Sequence, residues 1–260
     1  MTTYAFLLDV ARCIGCQACV AACKTGNELP FGVQFIEIKE QTRGTFPQLT
    51  GGFANHRCYH CADAACVSVC PAGALHKEDG LTRLNASVCT GCGYCVDACP
   101  FHVPELFAGR CCKCDGCAEV VHAGGTPWCV KTCPSNALLY GDRESILAEA
   151  HARVNAIKER YPKARVYGEN EAGGLGVVLV LPDEPEQLDL PANPQQPIAI
   201  GAWQQVVQPV TLGLTALGAI SMGIGALIAR RNHMRELKLF ATDIGAKSGN
   251  SEPEPAIQED

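Results

Sequence analysis

Four groups of four cysteines, spaced nearly alike, limit what this chain can become more than any other feature. "CIGCQACVAAC" holds Cys13, Cys16, Cys19 and Cys23, and "CTGCGYCVDACP" holds Cys89, Cys92, Cys95 and Cys99, both as C-x2-C-x2-C-x3-C. "CYHCADAACVSVCP" carries Cys58, Cys61, Cys66 and Cys70, with two extra residues before its third cysteine. The last group is stretched: Cys114 and Cys117, then "AEVVHAGGTPW", then Cys129 and Cys133. In each, a C-x2-C pair opens the group and a C-x3-C pair closes it. A loop of variable length between the pairs is tolerable because closure entropy grows slowly with length.

This is the spacing of bacterial ferredoxins, in which three near thiolates wrap one iron-sulfur cube and the fourth cysteine, on a helix leading away, ligates the other cluster of the pair. One C-x2-C pair alone fits zinc, but a tetrahedral zinc ion has no use for cysteines at i, i+3 and i+6 followed by a fourth. The expectation is therefore an α+β chain of two ferredoxin-like dicluster units binding four 4Fe-4S clusters. Spacing leaves open whether the units follow one another or one is inserted in the other. A disulfide scaffold fits poorly, because "MTTYAFLLDVARC" has neither the basic region nor the long apolar run of a secretory leader.

All 18 cysteines lie between Cys13 and Cys133, so the chain of 260 residues divides into a cysteine-dense and a cysteine-free part. A net charge of -6 offers no basic stripe for nucleic acid. In "GDRESILAEAHARVNAIKERYP", Ile146, Ala150, Val154 and Ile157 recur on one helix face; Asp142 is the expected N-cap, Pro162 the stop, and the charged face a solvated one. "GGLGVVLVL" lacks the strand-then-helix setting of a dinucleotide loop and reads as a turn and a strand. From Pro209 to Ala229 run 21 residues without a charge, enough to cross a hydrocarbon layer of about 30 Å. Trp203 precedes this span, and Gly213, Gly218, Gly223 and Gly225 offer close approach to another helix. Arg230, Arg231, Arg235 and Lys238 follow it, while "PDEPEQLDLPANPQQP" ahead is acidic. The positive-inside rule puts the C-terminus in the cytoplasm and the cluster domain on the outer, periplasmic face of the inner membrane, carried there folded with a partner that has its own signal.

Taken in order, "CIGCQACVAAC", "CVSVCPAGAL", "CTGCGYCVDACPF" and "KCDGC…CVKTCPSNALLYGDRE" resemble the four-cluster electron-transfer subunits of membrane-bound molybdenum or tungsten oxidoreductases, over Cys13 to about residue 230. Within that family, "YGENEAGGLGVVLVLPDEPEQLDLPANPQQP" and the single span are similar to the tail of the beta subunits of respiratory formate dehydrogenases; a hydrogenase-linked subunit has a similar tail. The resemblance implies nested ligation. Cys13, Cys16 and Cys19 share a cluster with Cys133, and Cys114, Cys117 and Cys129 take Cys23. Cys58, Cys61 and Cys66 take Cys99, and Cys89, Cys92 and Cys95 take Cys70. It implies a catalytic molybdenum or tungsten subunit and a membrane subunit of cytochrome b type as partners, with the lipid bilayer. Lys24, where the family has proline after the fourth cysteine, points to a different helix exit there.

The expected domains are 1–140 for the clusters with an insert at about 50–108, 141–195 for a helix and strand extension packed on them, 196–232 for the membrane helix, and 233–260 for a largely disordered cytoplasmic tail. No open iron position, cofactor loop or acid and base pair among Asp97, His102 and Glu105 marks an active site. A labile-cluster redox sensor suits sixteen ligands and a membrane span less well than conduction. His60 is a candidate hydrogen-bond donor to a cluster; Lys113 and Lys131 flank ligands of the fourth group, where a lysine can raise the cluster's potential, but each reads first as a solvated surface lysine. In "RCCKCDGC", Cys114 and Cys117 match the opening pair, which leaves Cys111 and Cys112 as a surplus pair, expected as buried thiols beside the cluster, with a vicinal disulfide or alternate ligation as the lesser readings. Replacing both surplus cysteines by serine should leave the iron content unchanged, whereas Cys114→Ser should cost one cluster, as counted by iron analysis.

Overall fold

Residues Tyr4–Asp9, "YAFLLD", alternate in what they face, and that alternation organises the cluster-bearing part. The computed structural model describes residues 3–195 and 207–248, in two units divided after Ile200. In chain order the first unit contains β1 (Tyr4–Asp9), α1 (Ala18–Gly26), the hairpin of β2 (Ile36–Thr45) and β3 (Gln48–Arg57), α2 (Ala65–Ser68), and the hairpin of β4 (Leu75–Glu78) and β5 (Leu81–Leu84). There follow α3 (Tyr94–Ala98), the hairpin of β6 (Glu105–Phe107) and β7 (Arg110–Cys112), α4 (Ala118–His122), α5 (Trp128–Lys131), β8 (Leu138–Asp142), α6 (Arg143–Ile157), β9 (Arg165–Tyr167) and β10 (Val177–Leu181).

The main sheet has the order β8-β1-β10-β9, with β1 antiparallel to β8 and parallel to β10. Side chains on a strand face opposite sides in turn. Ala5, Leu7, Val178 and Val180 pack on one face with Ile146, Ala150 and Val154 of α6. Phe6, Leu8, Val177, Leu179 and Leu181 pack on the other with Cys19, Cys23 and Cys129. With both faces covered, β10 can be apolar throughout. The stretch 141–195, expected to lie on the cluster domain, instead supplies β9, β10 and the covering helix, so it is part of the same core.

Helix α6 begins as its sequence suggests: Asp142 Oδ2 accepts from the backbone N–H of Glu144 at 3.1 Å and of Ser145 at 3.4 Å. It departs from a wholly solvated charged face at Arg153, which is buried. Arg153 donates to Asp9 Oδ2 at 3.2 Å, to the Asn136 carbonyl at 2.9 Å and to Glu149 Oε1 at 2.7 Å. Asp9 leads into the Cys13 loop and Asn136 follows Cys133, so one guanidinium braces both.

Proline explains where the short helices end. Cys70, Cys99 and Cys133 are each followed by one, which disfavours helix at the cysteine and cannot donate within it. After Cys23 stands Lys24 instead; α1 runs on to Gly26, and Lys24 Nζ ties its end to the Pro30 carbonyl at 2.9 Å and the Val33 carbonyl at 3.0 Å.

The second unit is α7 (Gln208–Ser248), of which Pro209–Leu239 is long and apolar enough to cross a membrane. The segment 233–248, expected to belong to a disordered tail, is helix, because "HMRELKLFATDIGAKS" has no proline and few poor helix formers. Trp203 and the segment 249–260 lie outside the described residues. Arg153→Met should remove a buried ion pair worth about 3–5 kcal/mol when broken from one side. The check is a lower denaturant midpoint for bleaching of the visible absorbance of the loaded protein.

Candidate functional site

The four C-x2-C turns share one backbone device. The residue before the second cysteine is left-handed in each: Gly15 at φ 66°, His60 at 51°, Gly91 at 70° and Gly116 at 76°. That turn folds amides back toward the first sulfur, as where Gly116 N–H donates to Cys114 Sγ at 3.4 Å. Glycine is needed for space as well as for φ at Gly91, where a Cβ would collide with the Gly109 carbonyl. His60 holds the same conformation because its Nδ1 accepts from Thr82 N–H at 3.1 Å. Burial, then Lys113, Arg57, Lys77 and Arg83, keep its pKa well below the usual imidazole range, so the ring is neutral. Among the described residues no hydrogen bond joins it to a sulfur, and its Nε2 has no partner.

The thiols gather in sets. Cys13, Cys16, Cys19 and Cys133 line one cavity, and Cys70, Cys89, Cys92 and Cys95 another, which Cys111 also lines. Cys61 lies among Cys58, Cys99 and Cys66, and Cys23 among Cys114, Cys129 and Cys117, close enough for their charges to act on it. Similar influence links neighbouring sets: Cys19 with Cys129, Cys114 with Cys58, and Cys66 with Cys95. The sets therefore stand in a row, beginning with the Cys13 set, passing through the Cys114 and Cys58 sets, and ending at the Cys89 set. The exposed cysteines, Cys16 and Cys92, belong to the two ends of that row.

Arg57, the last residue of β3, stands at the Cys114 set and had no signal in the sequence beyond preceding Cys58. It is 1% exposed, its Nη1 donates to Cys129 Sγ at 3.5 Å and its Nη2 to Cys114 Sγ at 3.9 Å. Among the described residues no carboxylate pairs with it. Burial works against its charge, but Cys129 and Cys114 outweigh this and hold the guanidinium protonated above its usual range. Lys113 is not the solvated lysine expected: it is 2% exposed and donates to the Thr82 carbonyl at 2.7 Å and to the Cys114 carbonyl, while Lys131 is exposed over Trp128.

Cys111 and Cys112 part ways because neighbours on a strand face opposite sides. Cys111 turns into the Cys89 set, giving its N–H to Cys89 Sγ at 3.3 Å and its thiol to Cys95. That contact outweighs burial and holds Cys95 below the usual thiol range. Cys112 is only half-buried.

These residues fit a metal cluster and suit free thiols badly. Burial pushes Cys23 and Cys114 up to about 12 and Cys19 to about 11, so deprotonation there requires a bound metal in compensation. A lone buried guanidinium costs several kcal/mol unless anions answer it, and the sulfurs around Arg57 become anionic as thiolate ligands.

Residues 12–74 and 49–143 match two families of 4Fe-4S dicluster domain. The formate dehydrogenase iron-sulfur subunit of Haemophilus influenzae is 32% identical over 246 residues, covering 83% of this chain and 77% of its own. The nitrate-inducible formate dehydrogenase iron-sulfur subunit of Escherichia coli is 34% identical over 245 residues, covering 85% and 82%. The chain belongs to this family of iron-sulfur subunits. It is an electron-transfer subunit that binds four 4Fe-4S clusters, with one candidate transmembrane helix. A thiosulfate reductase electron transfer subunit of Salmonella typhi is 37% identical over 188 residues, covering 65% of this chain and 96% of its own.

Gly91→Ala should lower the loaded protein from four clusters to about three by iron and sulfide analysis. Gly32→Ala, equally left-handed at φ 87° but with nothing near a Cβ, should keep all four.

Proposed function

We propose that this chain carries electrons for a respiratory formate dehydrogenase, from a catalytic molybdenum or tungsten subunit toward a quinone-reducing membrane subunit of cytochrome b type. The carrying observation is the row of cysteine sets, shut in at the middle and open at Cys16 and Cys92, the form required of a wire between two partners. In this reading the ligand sets are Cys13, Cys16, Cys19 and Cys133; Cys114, Cys117, Cys129 and Cys23; Cys58, Cys61, Cys66 and Cys99; and Cys89, Cys92, Cys95 and Cys70. Each cluster, when bound, supplies a one-electron store whose potential depends on charge, hydrogen bonds and exposure. The protein's own residues do the rest. Left-handed turns aim amides at sulfur, the apolar sheet face excludes water, and Arg57 and Lys113 offset buried negative charge.

Formate is favoured over the other substrates of the wider family by how far the likeness extends. The formate dehydrogenase relatives cover more of the chain than its first unit contains and so reach into the C-terminal unit, whereas the thiosulfate relative covers less of the chain than the first unit contains. Arg230, Arg231, Arg235 and Lys238, after the uncharged stretch, support a cytoplasmic C-terminus and a periplasmic cluster domain. The purified complex should reduce a quinone analogue with formate as donor. Turnover with hydrogen, polysulfide or thiosulfate and none with formate would move the chain to the equivalent subunit of another oxidoreductase. A C-terminal fluorescent fusion that folds only in the cytoplasm should light up.

A further inference from the structure

Arg57 is answered by sulfur alone. Its two N–H···S contacts fall on Cys129 and Cys114, its remaining Nε has no partner, and its guanidinium lies 4.9 Å from the centre of the Phe6 ring, shut from water by the core. The same site receives the Gly116 N–H on Cys114 at 3.4 Å and the Asn27 Nδ2 on Cys23 at 3.4 Å. Lys113, also buried, acts on Cys114 through space. One carboxylate opposes them from the same loop: Asp115, whose Oδ1 accepts from Cys117 N–H at 2.8 Å. The end sites differ in kind, since each has one exposed cysteine where water screens charge. At the Cys58 site, Lys113 acts on Cys66 and the partly exposed Lys77 on Cys61, Cys58 and Cys66 through space, but the Nζ of each bonds to oxygen and not to sulfur.

We propose that Arg57 is a positioning residue for the electron: it holds the cluster of the Cys114 site at the highest potential in the row, so that a passing electron rests there. The inference depends on the four-cluster reading above. On accepting one electron from the neighbouring site, this site gains one negative charge while no bond forms or breaks and the guanidinium keeps its protons. The attraction to a fixed, unscreened cation therefore grows on reduction, and reduction becomes easier. The resulting row is uneven, with the stop one place in from the Cys13 end.

The test is EPR-monitored redox titration of the whole complex, with iron counted on the same samples. Arg57→Gln should move one midpoint down by at least tenfold in the reduction equilibrium, about 59 mV for one electron. The other three should move less, the Cys13 site's the most among them because Arg57 also acts on Cys19, and Arg57→Lys should shift the same signal less. Four clusters with unchanged midpoints in Arg57→Gln would overturn the inference and leave the wire standing; fewer than four clusters in the unmodified complex would instead overturn the wire. Should Arg57→Gln fail to load, Asn27→Asp decides, since it sets a carboxylate against Cys23 and Cys117 with Arg57 in place. It should lower the midpoint of the signal that appears first on reduction. A first signal that Asn27→Asp leaves unmoved overturns the assignment.

Discussion

The pairing of β1 with β8 is the contact on which the rest depends. Leu8 lies opposite Leu138, and Asp9 N–H donates to the Ala137 carbonyl at 2.8 Å, so the chain leaves one strand toward Cys13 beside the place where it returns from Cys133. One set of thiols is thereby assembled from two distant parts of the sequence. Closing so long a loop costs little more than closing a short one, and the cost is offset by burial on both faces of the strands. Everything between the two cysteines can then be an insertion. Arg153 reinforces the junction from α6 by holding Asp9 and the Asn136 carbonyl together.

From that junction the burial pattern divides the labour. One face of the sheet is sealed by α6 in ordinary hydrophobic packing, and the other is given to sulfur. Because the second face is dry, each buried charge there acts at nearly full strength. Thiols are pushed toward their neutral form, and a guanidinium is tolerated only where thiolates surround it. Loading with metal and completing the fold are thus coupled, since the apo chain would bury Arg57 without an anion.

Much of this could be read from the residues in advance, and the parts that could share a cause. The helix at α6, its Asp142 cap and the strand at Val177–Leu181 follow from periodicity and local hydrogen bonding, which act over a few residues. The altered exit at Lys24 also followed from local chemistry, since the absence of a proline lets α1 continue to Gly26. Lys113 was misjudged because a lysine between cysteines looks like any exposed lysine; the Thr82 carbonyl that receives it is contributed by β5. The helix beyond residue 232 was missed because a polar composition was read as disorder, although its helix propensity is good.

The sequence by itself determined the number of thiol groups, their spacing and hence the kind of cofactor, because ligand spacing within a turn is a local geometric demand. It also determined that one stretch is apolar for the length of a bilayer, which is a matter of composition. Only the tertiary structure decided which sets stand next to one another, which of the adjacent Cys111 and Cys112 faces a cluster site, and that Arg57 meets Cys129 and Cys114. Those outcomes depend on strand register and on charges brought together from remote positions in a water-free interior, where a single cation counts for most.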